Sequence, residues 1–331
     1  MCRDRSGRIP ASVRVLLCIR PGKAFRSVDE DCWMKFLRIL RPEHWTKNVF
    51  VFAALLFGKK LIGPADEVWL SLGRTLAAFV CFCLAASAVY IFNDIIDRPA
   101  DRLHPQKKLR PIAAGHVSVA PALFLAFLCT LTAIAGAWML SEPLMAIVAG
   151  YVALMVMYSL VLKKMLILDC IVISVGFCLR AIAGAVVLSV FISPWLIICT
   201  FALCLFLAFG KRRSEIAQLA TDSESFRATL GGYTPELLAH MLDVTSVLAV
   251  VCFLLYTMDD RTLKLFGTNH LVYTTPIVLY CIFRFSALIQ TGRFSGPVQL
   301  ILRDVPFQVG SVLWVVACVL IIYGQRLGIG T

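Results

Sequence analysis

Nine stretches of mostly apolar residues recur along the chain, each near the roughly 20 residues that a helix needs to cross the hydrocarbon of a bilayer. They fall at about 36–57, 69–92, 119–140, 143–162, 167–189, 193–210, 237–257, 270–290 and 305–323. The first is the most interrupted, because Lys47 and Asn48 sit inside it. Of the 331 residues, 60% are hydrophobic and 16% charged, with a mean hydropathy of +0.83. Soluble domains average about 45–50% apolar and about 25% charged residues. One soluble core could not hide so much apolar surface, so lipid must be the solvent for much of the chain. The same composition excludes a disordered protein, a collagen and a small disulfide scaffold. The sequence reads as an all-α membrane protein of about nine transmembrane helices, forming a single domain over residues 34–331.

The charge pattern orients those helices. Lys and Arg outnumber Asp and Glu by 32 to 20, a net charge of +12. In a soluble domain that excess would suggest nucleic acid; in a membrane protein it marks cytoplasmic loops, and that reading is adopted here, with no nucleic-acid partner. With the N-terminus inside, 24 basic residues fall on the cytoplasmic side, 5 on the other, and 3 (Arg74, Arg180, Arg284) within spans. Loops 2–3, 4–5, 6–7 and 8–9 are therefore expected to be cytoplasmic. Residues 1–33 form a basic N-terminal arm, either disordered or the product of a start site set too far upstream, and receive no function. The 13 cysteines lie mostly in apolar runs without a CxxC pair, as expected of thiols packing as small hydrophobes. The five histidines show no metal-ligand spacing.

Polar residues at membrane depth are expensive, so an ionisable cluster at a span end points to function. Here the cluster is NDIIDRPADRLHPQKKLRP, beginning at Asn93. On a helix Asn93, Asp97 and Asp101 share one face at i, i+4 and i+8, with Asp94 beside them. Carboxylates stacked this way repel one another unless a cation intervenes. Mg²⁺ suits the position, since it takes oxygen ligands from one or two carboxylates together with substrate phosphates. The basic residues Lys107, Lys108 and Arg110 that follow suit the remaining phosphate oxygens. The bland alternative is a solvated helix end with alternating charges.

This stretch resembles the first Asp-rich motif of the UbiA superfamily of intramembrane prenyltransferases, and the resemblance covers about residues 38–323. It implies nine helices around a central cavity that opens to the cytoplasmic face and laterally to lipid. Quinone-type members carry a second Asp-rich motif near loop 4–5. This chain instead reads YSLVLKKMLILD, with Tyr158, Lys163, Lys164 and a single Asp169. Lysine cannot hold a metal there but can bind a phosphate directly. With RPEHWTKN, KLRPIAAG, GFCLRAIAG, ISPW and GKRRSEI, the departure is similar to the decaprenyl-phosphate phosphoribosyltransferase branch.

The resemblance implies a donor, 5-phosphoribose 1-diphosphate (PRPP), and a polyprenyl phosphate acceptor drawn from the membrane. Asp94 and Asp97, assisted by Asn93 and Asp101, would hold Mg²⁺ on the diphosphate. Lys47, beside Asn48, and Lys107 and Arg110 are the candidate diphosphate cations. Tyr158 and Lys163 would meet the donor's other phosphate or its ribose; Lys164, about 100° away round a helix, points elsewhere. For Asp169 the options are a metal, a lysine partner or a ribose hydroxyl. Arg180 lies roughly 18 Å into its span, too deep for easy snorkelling, and should face the cavity as a ligand of the donor's phosphate or ribose, or else a structural partner. Lys211 and Arg212 are candidates to clamp a phosphate from above, or a plain charged run.

The expected function is Mg²⁺-dependent phosphoribosyl transfer at the cytoplasmic face of a bacterial-type inner membrane, whose product would lead toward arabinose donors for cell-wall polymers. A homo-oligomer is compatible with the sequence, which does not specify one. Two other readings stay open. One is an isoprenyl transfer to an aromatic acceptor, which makes poor use of Lys163. The other is a non-enzymatic transporter, which the absence of a midplane acidic relay disfavours.

Overall fold

In a computed structural model, residues 37–104, 107–219, 232–291 and 296–324 are described, and every element among them is helical. The basic arm 1–33 and the loop residues Arg227, Arg293 and Arg326 used in the charge argument lie outside the described residues.

The chain enters through a 3₁₀ segment, Pro42–Phe52, continued by a short α1, Ala53–Phe57. Then come α2 (Ala65–Ile96), α3 (Arg98–Leu103), α4 (Val119–Leu140), α5 (Glu142–Leu160), α6 (Leu168–Val187), α7 (Pro194–Leu219) and α8 (Pro235–Met258). The amphipathic turn α9 (Asp260–Phe266), α10 (Thr275–Gln290), the short α11 (Pro297–Arg303) and α12 (Val305–Tyr323) complete the described chain. Proline in the first turn is tolerated because its missing N–H would have no intrahelical acceptor. Side-chain caps close three starts: Ser141 Oγ accepts from Leu144 N at 3.3 Å, Thr234 Oγ1 from Leu237 N at 3.1 Å, and Asp304 Oδ1 from Phe307 N at 2.8 Å.

Among the described residues, eight helices are long and apolar enough to cross a membrane, and this is a multi-pass membrane protein. The first expected span, 36–57, is not one of these eight helices. Its core winds as 3₁₀, which rises about 2.0 Å per residue against 1.5 Å for α, so Pro42–Phe57 extends about 30 Å, as far as a 20-residue α-helix. Winding of this kind is uncommon beyond three or four residues and marks strain or function. It is held by close packing on α6, where a Cβ on Gly184 would run into the Val51 backbone.

The interior is divided. Phe82, Ala85 and Ala78 of α2 pack with Val51, Val148, Tyr151 and Ala183 in one cluster; Phe206, Phe209, Phe285 and Leu238 form another between α7, α8 and α10. The ten described cysteines are free thiols, most of them buried.

Contacts sort the loops into two ends. Lys59 Nζ donates to the Phe266 carbonyl at 3.1 Å, and the Arg261 guanidinium lies 4.6 Å from the Phe191 ring, which joins loops 1–2, 5–6 and 7–8. At the other end, side chains from loops 2–3, 4–5 and 6–7 meet. This is the grouping expected from the distribution of Lys and Arg.

Candidate active site

The site begins with helix geometry. Asn93, Asp94 and Asp97 end α2, and Asp101 follows on α3; Asp97 is the residue where the two helices join. Asp94 and Asp101 are each only 4% exposed, whereas Asp97 is half-buried. Every carboxylate has a cation. Arg41 donates to both oxygens of Asp94 at 2.6 and 2.7 Å. Arg110 bridges Asp94 (3.2 Å) and Asp101 (2.6 Å). Lys163, from the 3₁₀ turn Leu162–Lys164, reaches Asp97 at 2.5 Å and the Asn93 carbonyl at 3.2 Å, while the Asn93 amide donates to Asp97 at 2.9 Å. The acidic end of α2 and the loop 4–5 lysine, 66 residues apart in sequence, thus occupy one place.

Arg41 was not singled out from the sequence, though it opens the RPEHWTKN motif. Its backbone is left-handed, at φ 52°, ψ 60°, immediately before Pro42. A non-glycine residue there carries strain of order 1 kcal/mol or more, which the two bonds to Asp94 offset.

One turn deeper, Tyr90 presents a ring to two cations. Arg41 lies 5.5 Å and Lys47 5.8 Å from its centroid, and Lys47 Nζ is 3.5 Å from its hydroxyl. Deeper still, Arg180 is 95% buried. Its guanidinium donates to Asn48 Oδ1 (2.6 Å), the Gly176 carbonyl (2.6 Å) and the Tyr151 hydroxyl (2.8 Å), between the rings of Tyr151, Phe177 and Phe82. Asn48 therefore holds Arg180 and is itself fully buried. Tyr90 and Tyr151 carried no sequence signal, since aromatic residues in apolar spans are ordinarily core.

A second buried network lies at the same end. Asp169 has no exposed surface. Arg212 donates to one of its oxygens at 2.9 Å and Tyr233 to the other at 2.8 Å, and Arg212 also reaches Glu215 at 2.6 Å. Tyr233 OH in turn accepts from Ile167 N at 2.9 Å. Burial, reinforced by Cys170 and the bond to Asp169, pushes the Tyr233 hydroxyl pKa up and keeps it a proton donor. None of the roles weighed for Asp169 or Arg212 describes this arrangement, a buried structural pair: the Asp169 oxygens are taken by Arg212 and Tyr233, and Arg212 is 4% exposed.

The remaining candidates are more open. Tyr158 and Lys107 are half-buried, and Lys164 and Lys211 are exposed, Lys211 lying 3.9 Å from Glu215. His104 accepts from Lys107 N at 3.3 Å; burial and the Lys107 charge lower its pKa, so it is neutral there.

The oxygen-only donor set Asp94, Asp97, Asp101 and Asn93 fits a hard divalent cation in kind. Among the described residues, no three His, Cys, Asp or Glu converge as a ready cage. Mg²⁺ does not demand one, because it ordinarily completes its shell with phosphate oxygens and water. Below the polar end, a cavity of about 710 Å³ lies between α1, α6, α7, α8 and α12, lined by apolar side chains including Phe50, Ala181, Leu196, Phe253 and Trp314. The acidic residues do not line it.

The sequence profile described as the UbiA prenyltransferase family matches residues 50–293. The decaprenyl-phosphate phosphoribosyltransferase of Mycobacterium tuberculosis is 32% identical over 283 residues, covering 84% of this chain and 91% of that protein. The enzyme of the same name from Mycolicibacterium smegmatis is 32% identical over 292 residues, covering 84% and 89%. Among solved structures, a UbiA homolog from Archaeoglobus fulgidus bound to GPP and Mg²⁺ superposes with a TM-score of 0.65 at 19% identity, over 87% of this chain and 99% of that one.

Proposed function

Because the chain belongs to the UbiA prenyltransferase family, we propose that it transfers 5-phosphoribose from PRPP to a polyprenyl phosphate, releasing diphosphate. The observation that carries this reading is the Lys163 ammonium 2.5 Å from Asp97. The acid end of α2 faces a phosphate-binding cation rather than a second carboxylate pair. The relatives' names support the same donor and acceptor.

Asp94 and Asp97, with Asn93 and Asp101, would hold a divalent cation, for which Mg²⁺ suits the oxygen donors. Bound there, it would supply Lewis-acid stabilisation of the departing diphosphate. Arg41 and Arg110, which now hold the carboxylates, would pass with Lys107 to the diphosphate oxygens, and Lys163, now on Asp97, would pass with Tyr158 to the ribose or its 5-phosphate. In the reaction an acceptor phosphate oxygen bonds to ribose C1 as the bond from C1 to the diphosphate oxygen breaks, the electron pair leaving with diphosphate. The acceptor is already an anion near neutral pH, so no side chain has to remove a proton. Catalysis is positioning plus electrostatic stabilisation of an oxocarbenium-like transition state. The apolar cavity suits the lipid tail. The polar end is read as cytoplasmic and the membrane as the inner (plasma) membrane.

The test is incubation of the purified protein in detergent with Mg²⁺, radiolabelled PRPP and polyprenyl phosphate. Label should appear in a lipid-extractable product. Label that stays aqueous, while an isoprenyl diphosphate prenylates an aromatic acid under the same conditions, would replace this reading with ordinary prenyl transfer.

A further inference from the structure

The acidic end and the apolar cavity do not abut. Between them stand Lys47 and Arg180, and these two cations differ from the four that hold the acidic residues. Arg41, Arg110, Lys163 and Arg212 each have a carboxylate within 3.2 Å. Among the described residues, Lys47 and Arg180 have none within ion-pair distance: Lys47 meets the phenol of Tyr90, and Arg180 an amide, a carbonyl and a phenol. Positive charge at membrane depth, half-buried at Lys47 and buried at Arg180, is costly with only neutral partners, and a mobile anion is what would offset it.

Position then narrows the anion. Tyr90 precedes Asp94 by one helical turn, about 6 Å toward the membrane interior. Lys47 lies against that ring, and Arg180 is reached through Asn48, the next residue. Phe50, three residues beyond Lys47, and Ala181, next to Arg180, already line the apolar cavity. Phe177 stacks on Arg180 and meets Phe50 edge-on at 5.1 Å. Going inward, the order is carboxylates, then unpaired cations on aromatic rings, then hydrocarbon walls. An amphiphile with an anionic head and an isoprenoid tail matches the last two layers, with its head facing the first.

We propose that Lys47 and Arg180, backed by Tyr90 and Tyr151, form the seat for the acceptor lipid's phosphate, distinct from the donor site at Asp94, Asp97 and Lys163. This rests on the phosphoribosyl-transfer reading and changes the role expected for Lys47 and Arg180, from donor to acceptor. Both cations act by holding one phosphate oxygen toward ribose C1 while the tail lies in the cavity. Asn48 is then a positioning residue, since it acts through Arg180.

The experiment measures binding to the purified full chain in detergent, without co-substrate, for wild type, Lys47→Gln and Lys47→Arg. The probes are farnesyl phosphate, farnesol and PRPP with Mg²⁺. Losing one charge-assisted contact should weaken farnesyl phosphate binding of Lys47→Gln about tenfold or more, with farnesol and PRPP each changed less than about twofold. Lys47→Arg should recover most of the loss. A Lys47→Gln protein that binds farnesyl phosphate as well as wild type, or that loses PRPP at least as strongly, would overturn the seat. Thermal unfolding of each variant separates a folding defect from either result. Failure of wild type to label any lipid from PRPP would instead remove the reading beneath it, and the binding measurement would stand on its own.

Discussion

In the proposed donor site, Lys163 is the residue on which binding turns. Its neighbour Lys164 has the same chemistry but is exposed, while Lys163 is drawn onto Asp97 and Asn93. A charge-assisted hydrogen bond contributes about 1.5–3 kcal/mol, so Lys163→Met should weaken PRPP binding about ten- to a hundredfold. Lys164→Met should leave it unchanged; titration of each variant with PRPP and Mg²⁺ in detergent checks both. Equal effects of the two substitutions would mean that general loop charge, rather than this ammonium, binds the donor. Of the two adjacent lysines the resemblance already chose Lys163; what the sequence does not show is the tight 3₁₀ turn Leu162–Lys164 and the pairing of Lys163 with Asp97 and Asn93.

At the scale of elements, the loop that presents Lys163 is itself held from behind. Ile167, at its far end, has φ 68°, a left-handed conformation in which a β-branched side chain is strained. Tyr233 OH accepts the Ile167 N–H and donates to Asp169, which Arg212 holds in turn, tying loop 4–5 to α6, α7 and the start of α8. Tyr233→Phe removes that link with almost no change of shape and leaves the Ile167 N–H and one Asp169 oxygen unpaired, costing about 1–3 kcal/mol. The expected outcome is a lower unfolding temperature and a raised KM for PRPP, with lipid affinity little altered. A variant as stable as wild type, with unchanged donor KM, would show that the loop keeps its shape without the phenol. The sequence offered no hint of Tyr233, which is far from every recognised motif, and it offered Asp169 three roles without choosing. The 3₁₀ winding of Pro42–Phe52 was equally illegible. It depends on contact with α6 at Gly184, and a long-range backbone approach leaves no local signature.

Over the whole molecule, charge and chain direction together specify a polarity. The end bearing Lys108 should face the side where the basic loops lie, and the end bearing Asn269 the other. In intact inverted and right-side-out vesicles, a membrane-impermeant maleimide should modify Lys108→Cys only from the cytoplasmic side and Asn269→Cys only from the opposite one. Most of the described native thiols are buried and should contribute little background. Reversed labelling would put the proposed donor site outside and exclude a cytoplasmic phosphosugar donor such as PRPP. Membrane residence, the approximate number of crossings, the grouping of loops and the location of the acidic motif follow from the sequence, because they depend on hydropathy, charge and spacing along one helix. Tertiary structure alone decided that Asp97 meets Lys163, that Asp169 is consumed by Arg212 and Tyr233, and that Lys47 and Arg180 meet no carboxylate among the described residues. Those are pairings across 43 to 132 residues, set by how helices pack, and no local pattern in a chain encodes which of several distant partners a buried charge will find.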